Sequence, residues 1–358
     1  MLCLPVFLTG RMSQAGAVTQ PESLGGVVHD YSKWVRYGMI FGGLYWYTEG
    51  GVLTWALYGT VFFLGMLYFQ QNTLLYAANH PQIPRRPNDI PAQFKMSSPA
   101  QHDLRFEDVY IKCPDGEIIH SWLILQATDE AAKNAPTVMY FHGNAGNIGM
   151  RLPMYKDLVE LCKCNVMAVE YRGYGNSGGI PSEKGLRMDA ESALKYLRKS
   201  TLIDPSKIFL FGRSLGGAVA AYLAAKYPGD DLFCGLILEN TFVSIGELAL
   251  KLFPLLKIFQ FLLPLMLKNK WDSKVEMAKV RCPVLFLSGL KDKMIPSAHM
   301  QALYDAATDA PKRIFKVFPN GGHNDTPIVH KNEYNNALVS FLRGGSVSKN
   351  TDGVTEME

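Results

Sequence analysis

Apolar residues between positions 102 and 343 come in short bursts, at 107–112, 118–125, 137–141, 166–171, 208–211, 236–239, 284–288 and 314–318. Bursts of this length, bounded by turn residues, predict eight strands. Pro114-Asp115-Gly116 separates the first two, which predicts an antiparallel hairpin. The later bursts are almost wholly apolar and alternate with helical stretches such as 182–199 and 297–307. That alternation predicts parallel strands buried on both faces and joined by right-handed crossovers. The expected fold is therefore an α/β domain over residues 102–343, with an eight-stranded, mostly parallel sheet.

Two stretches break the alternation. Residues 50–69 carry no charge, and at 1.5 Å per residue such a segment spans a hydrocarbon core of about 30 Å. Residues 37–69 are expected to form a transmembrane anchor region, with a bilayer as partner. Lys33 and Arg36 precede it, and the next basic residues are Arg85 and Arg86. The positive-inside bias keeps the N-terminus cytoplasmic and places the domain on the lumenal or extracellular side. Residues 241–280 are rich in Leu and Phe and cut by Pro254 and Pro264, which predicts a small helical lid. Prolines 81, 84, 87, 91 and 99 make 70–101 an expected extended connector. Residues 1–36 and 344–358 lack apolar periodicity and are expected to be flexible tails.

Composition narrows the function classes. The formal charge of +4 is scattered, so nucleic acid is not an expected partner. The six cysteines lack zinc-ligand spacing, and no dinucleotide fingerprint appears, so neither a metal nor another cofactor is expected.

The chemistry-bearing stretch is Gly212-Arg213-Ser214-Leu215-Gly216. A buried strand precedes it and a helix rich in small residues follows. Strand, sharp turn and helix are what a nucleophile elbow requires. A serine hydroxyl needs a base, and the base needs an orienting acid. Asp292, after the seventh burst, and His323, after the eighth, stand in the expected order and at the same sheet edge. Glu239, after the sixth burst, is the rival acid. The backbone N–H groups of Leu215 and of Asn144, in the loop His142-Gly143-Asn144-Ala145-Gly146, are the expected oxyanion donors. Asn324-Asp325-Thr326 is a glycosylation sequon beside His323.

The runs FHGNAGNIGMRLP, EYRGYGNSGG, IFLFGRSLGGAVA, ENTF, LFLSGLKDKMIP and PNGGHND together resemble the serine-hydrolase branch of the α/β-hydrolase superfamily. The resemblance implies Ser214, Asp292 and His323 as the triad of an acyl-ester or thioester hydrolase in a single-pass type II membrane protein. Membrane-associated members of that branch cleave palmitoyl thioesters, so a lipid-like or S-acylated substrate is implied here. Two other classes compete: a catalytically silent, membrane-tethered binding protein, and a peptidase on the same fold. Oligomeric state is not legible in the sequence.

Overall fold

The computed structural model describes residues 36–43, 51–228 and 232–347. The expected tails lie outside these residues, apart from their inner ends. The chain divides into two compact units, Met1–Gln70 and Gln71–Glu358.

The first unit carries most of helix α1, Val52–Leu75. None of the 24 residues of α1 is charged, and apolar side chains point outward on every side, among them Val52, Leu57, Tyr58, Val61 and Phe63. Its last turns, from Gln70 to Thr73, are polar. By hydropathy, no helix among the described residues is long and apolar enough to cross a membrane.

The second unit is built on one eight-stranded sheet, ordered β1-β2-β4-β3-β5-β6-β7-β8. The strands are β1 (Arg105–Lys112), β2 (Ile118–Leu125), β3 (Thr137–Phe141), β4 (Asn165–Val169), β5 (Ile208–Arg213), β6 (Phe233–Glu239), β7 (Val284–Gly289) and β8 (Arg313–Phe318). β2 runs antiparallel to β1 and to β4, and the remaining pairs are parallel. The central strands β3 to β7 are buried along their whole length, because helices cover both faces. Successive side chains feed two cores. Met139, Leu210, Leu236 and Phe286 pack with the helices Glu183–Lys199, Leu215–Lys226 and Ser297–Ala306. Tyr140, Phe209, Phe211 and Leu285 pack with Leu152–Glu160 and Lys331–Val347. This two-sided burial turns polar strand ends, and the loops beyond them, toward a single edge.

The segment expected as an extended connector is folded, and the domain begins at Gln71 rather than His102. Tyr76, Ala78, Pro87, Ile90 and Pro99 are buried. Pro87 and Pro99 open short 3₁₀ turns, Pro87–Asp89 and Pro99–His102. A proline ring presets the φ of a turn as readily as that of an extended chain. Asn147 also donates to the carbonyls of Pro84 and Arg85, at 3.0 and 3.2 Å, tying the segment down.

The lid region contains the helix Ile245–Leu252, a 3₁₀ stretch Pro254–Leu262, a short turn Leu263–Met266 and the helix Ser273–Met277. Pro254 and Pro264 each sit in the first turn of a new element, as their missing N–H groups allow.

Candidate active site

β5 delivers Ser214 at its end, and the helix Leu215–Lys226 starts on the next residue. Ser214 has φ 53° and ψ −120°, a backbone conformation that L-residues rarely adopt. The turn closes because of two glycines. A Cβ on Gly212 would collide with the Gly216 carbonyl, and one on Gly216 with the Phe141 carbonyl at the end of β3. Thr241 Oγ1 donates to the Ser214 carbonyl at 2.7 Å, and Ser214 N donates to the Glu239 carbonyl at 2.9 Å. The strained turn is therefore fixed from both sides.

His323 Nε2 lies 3.1 Å from Ser214 Oγ, and His323 Nδ1 lies 2.6 Å from Asp292 Oδ2. The other carboxylate oxygen, Asp292 Oδ1, accepts from the N–H groups of Met294 and Ile295, both at 2.8 Å. Its side chain is fully buried, and these bonds aim it at the imidazole. The Ser–His–Asp line expected from the sequence is thus brought together over separations of 109 and 31 residues. Glu239 is buried elsewhere: it accepts from Tyr334 Oη at 2.7 Å and faces the Arg213 guanidinium at 3.5 Å.

The loop after β3 closes over the serine. An added Cβ on Gly143 would lie 3.5 Å from Ser214 Cβ. Asn144 is held from three sides: its Nδ2 donates to Leu75 O at 2.5 Å, while its Oδ1 accepts from Tyr174 Oη at 2.8 Å and from Ala77 N at 3.3 Å. Leu215, as the first helical residue, has an N–H without an intrahelical acceptor. Beneath the loop, buried His142 and Glu170 meet at 3.1 Å, and Glu170 also accepts from Ile148 N at 3.0 Å. Asn324 of the sequon is exposed, and its Oδ1 accepts from Arg213 at 2.8 Å.

Several supporting residues escape sequence reasoning. Arg213 donates to the His323 carbonyl, 110 positions away, at 2.5 Å. Burial is the largest single influence and works against its cation, but Glu239, Tyr140, Tyr334 and Asp292 together outweigh it and hold the guanidinium pKa above its usual value. Asn240 donates to Gly322 O at 3.1 Å and accepts from Gly289 N at 2.9 Å, so it staples the end of β7 to the histidine loop. The one signal for it was the polar pair Asn240-Thr241 directly after an apolar strand. The arrangement can activate a hydroxyl by proton transfer and stabilise the resulting imidazolium.

A family model described as serine aminopeptidase, S33, matches residues 132–276. The Arabidopsis thaliana alpha/beta hydrolase domain-containing protein WAV2 is 41% identical over 254 residues, covering 68% of this chain and 81% of that protein. Protein bem46 of Schizosaccharomyces pombe is 38% identical over 290 residues, 81% of this chain and 91% of that one. An uncharacterized membrane protein of Saccharomyces cerevisiae, YNL320W, is 36% identical over 277 residues, 75% of this chain and 88% of that one. Among solved structures, the Pyrococcus furiosus esterase PF2001 superposes with a TM-score of 0.56 at 19% identity, over 70% of this chain and 94% of that one. The chain belongs to the α/β-hydrolase superfamily and has its fold.

Proposed function

We propose that the protein is a membrane-anchored serine hydrolase that cleaves acyl esters or thioesters through a covalent acyl-enzyme. The observation that carries this reading is the continuous hydrogen-bonded line from Asp292 through His323 to Ser214 on the strained elbow. His323 takes the proton of Ser214 as Oγ attacks the acyl carbon. The developing oxyanion is received by the N–H groups of Leu215 and Asn144. His323 then protonates the leaving alcohol or thiol, and a water, deprotonated by the same imidazole, releases the acid. Asp292 keeps Nδ1 protonated throughout.

The anchor is supported by exposure rather than by mean hydropathy. α1, about 36 Å long at 1.5 Å per residue, presents apolar side chains on every side and no charge. Such a helix needs an apolar surrounding. The yeast relative described as a membrane protein points the same way. S-acylated proteins or lipid-like esters at the membrane would then be the substrates within reach.

Labelling by a fluorophosphonate probe tests the chemistry. The protein should label, and Ser214→Ala should not. Refusal of the folded protein to label would replace the enzyme with a silent binding protein. Matched ester, thioester and amide substrates then assign the class. Preference for the amide would turn the reading toward a peptidase, the activity in the description of the matching family model.

A further inference from the structure

Leu255, Ile258 and Phe261 recur every third residue within the 3₁₀ stretch Pro254–Leu262. A 3₁₀ helix has three residues per turn, so these side chains stand in one row. They are 80, 68 and 72% exposed, and Leu265, in the next turn, is 81% exposed. Packing against the domain therefore accounts for none of the four. Large apolar side chains aligned in water mark a surface that meets something apolar.

The charges around the row indicate what that is. Lys251, Lys257, Lys268 and Lys270 are exposed, and the sequence from Leu248 to Trp271 contains no acidic residue. Glu247 and Asp272 flank this window from outside. An apolar row bordered by lysines matches the acyl boundary and the anionic headgroups of a bilayer surface.

The fold also fastens this lid to the end of α1. Gln71 donates from Nε2 to Met266 O at 2.5 Å and accepts at Oε1 from Lys268 N at 2.8 Å. Asn72 Oδ1 accepts from Asn269 Nδ2 at 2.8 Å. Four residues on, Tyr76 donates to Asn269 Oδ1 at 3.0 Å and accepts from Trp271 Nε1 at 2.9 Å. A chain that leaves a bilayer near Gln71 is thus bonded at once to the lid.

We propose that the row Leu255, Ile258, Phe261 and Leu265, with its surrounding lysines, is a docking surface for an anionic lipid bilayer and holds the lid at the membrane. The bearing of the Gln71, Asn72 and Tyr76 contacts on a membrane rests on the membrane-anchor reading above; the apolar and basic character of the surface does not.

The test uses full-length protein reconstituted into vesicles of phosphatidylcholine with one part in five phosphatidylserine. Part of the phosphatidylcholine is brominated high on its acyl chains. Single added cysteines carrying an environment-sensitive fluorophore replace Ile258 on the lid, Leu57 on α1 or Tyr110 on edge strand β1, each in a Cys3→Ser, Cys282→Ser background. Interfacial apolar faces sit about 5–10 Å into the headgroup boundary, where such bromines quench, and Leu57, five residues into α1, lies at a similar depth of about 7.5 Å at 1.5 Å per residue. The labels at Ile258→Cys and Leu57→Cys should lose about half their emission or more, and that at Tyr110→Cys should keep it. An unquenched lid label beside a quenched helix label overturns the docking surface and leaves the anchor standing. A quenched lid label beside an unquenched helix label removes the anchor and upholds the surface. Equal quenching of the lid label without phosphatidylserine overturns the part assigned to the lysines. A lid label that is shielded without being quenched, increasingly with protein concentration, overturns the proposal in favour of a contact between copies of the chain.

Discussion

The Arg213 guanidinium holds the His323 carbonyl at 2.5 Å, so the residue beside the proposed nucleophile also positions the proposed base. The same group donates to Asn324 Oδ1 at 2.8 Å and faces the buried Glu239 carboxylate. Replacing it by Lys keeps a cation but loses the fork that reaches both partners. Arg213→Lys should lower kcat by about tenfold or more with little change in KM, because the imidazole shifts while the acyl site does not. Arg213→Met leaves Glu239 buried without its cation and should cost roughly 3–5 kcal/mol of stability by chemical denaturation. Unchanged kcat in the lysine variant would reduce Arg213 to a structural ion-pair partner.

The triad residues should behave as one unit. Ser214→Ala and His323→Ala should each remove most turnover, and the double variant should lose little more. Asp292→Asn should keep the fold and lose about 10⁴-fold in kcat, because the amide favours the wrong imidazole tautomer. Glu239→Gln should lower the melting temperature more than kcat, since Glu239 bonds Tyr334 rather than His323. The reverse pattern in the last two variants would transfer the acid role to Glu239.

The strands were legible in the sequence because burial on both sheet faces leaves apolar bursts that polar turns interrupt. The bounds of β2 and β3 agree residue for residue, while β4 stops at Val169 because Glu170 turns under the loop to meet His142. Ser214, Asp292 and His323 were legible because each follows a strand that reaches the same edge. Arg213, Asn240 and Gln71 were not. Their partners lie 110, 82 and 195 residues away, and no local pattern records such pairings. The prolines of 70–101 misled for another reason, since they suit a packed 3₁₀ turn as well as an extended connector.

Serine reagents and thiol reagents should separate cleanly. Burial pushes the Cys113 thiol up to about 11 and the Cys162 and Cys282 thiols up to about 12. Thiolates are then scarce at neutral pH, and the thiolate is the reactive form. N-ethylmaleimide at pH 7.5 should leave ester hydrolysis intact under conditions where a fluorophosphonate abolishes it. Loss of activity to the maleimide, reproduced in a Cys113→Ala variant, would show that another thiol lies close to catalysis.

Acid should loosen the base of the lid through His299. Burial holds its pKa below the ordinary histidine value; Lys251 adds to the effect, while Glu247 and Asp292 oppose it. Its Nδ1 accepts from Val243 N at 3.4 Å, a bond that needs the neutral ring. Because the folded value is the lower one, the unfolded chain takes the proton first as pH falls. Stability is full above about pH 6.5 and declines below it. The melting temperature should fall between about pH 7 and 5.5, and His299→Asn, which keeps an acceptor without a proton site, should flatten that slope. An equal slope in the variant would assign the acid sensitivity to other groups.

The proposed oxyanion loop depends on residues that precede the expected domain boundary. Leu75 O accepts from Asn144 Nδ2, Ala77 N donates to Asn144 Oδ1, and Ala77 pairs with Ala145 as a parallel bridge. Tyr76, between them, is buried and bonded to Asn269 and Trp271. A chain beginning at Gln71 keeps all of these contacts. One beginning at His102, where the strand pattern starts, loses them. Removing a buried aromatic side chain costs about 3–5 kcal/mol, and removing one oxyanion donor costs about 10²–10³ in kcat. The chain from Gln71 should therefore hydrolyse a short soluble ester at close to the full-length rate. The chain from His102 should unfold more readily and, where folded, turn over at least about a hundredfold more slowly. The full-length Asn144→Ala variant separates the two effects, because it loosens the loop while Tyr76 stays in place. It should lose kcat while its melting temperature falls less than that of the chain from His102, which also lacks buried Tyr76. Full activity in the chain from His102 would show that the loop holds its shape unaided and that the contacts of Leu75–Ala77 with Asn144 have no part in catalysis.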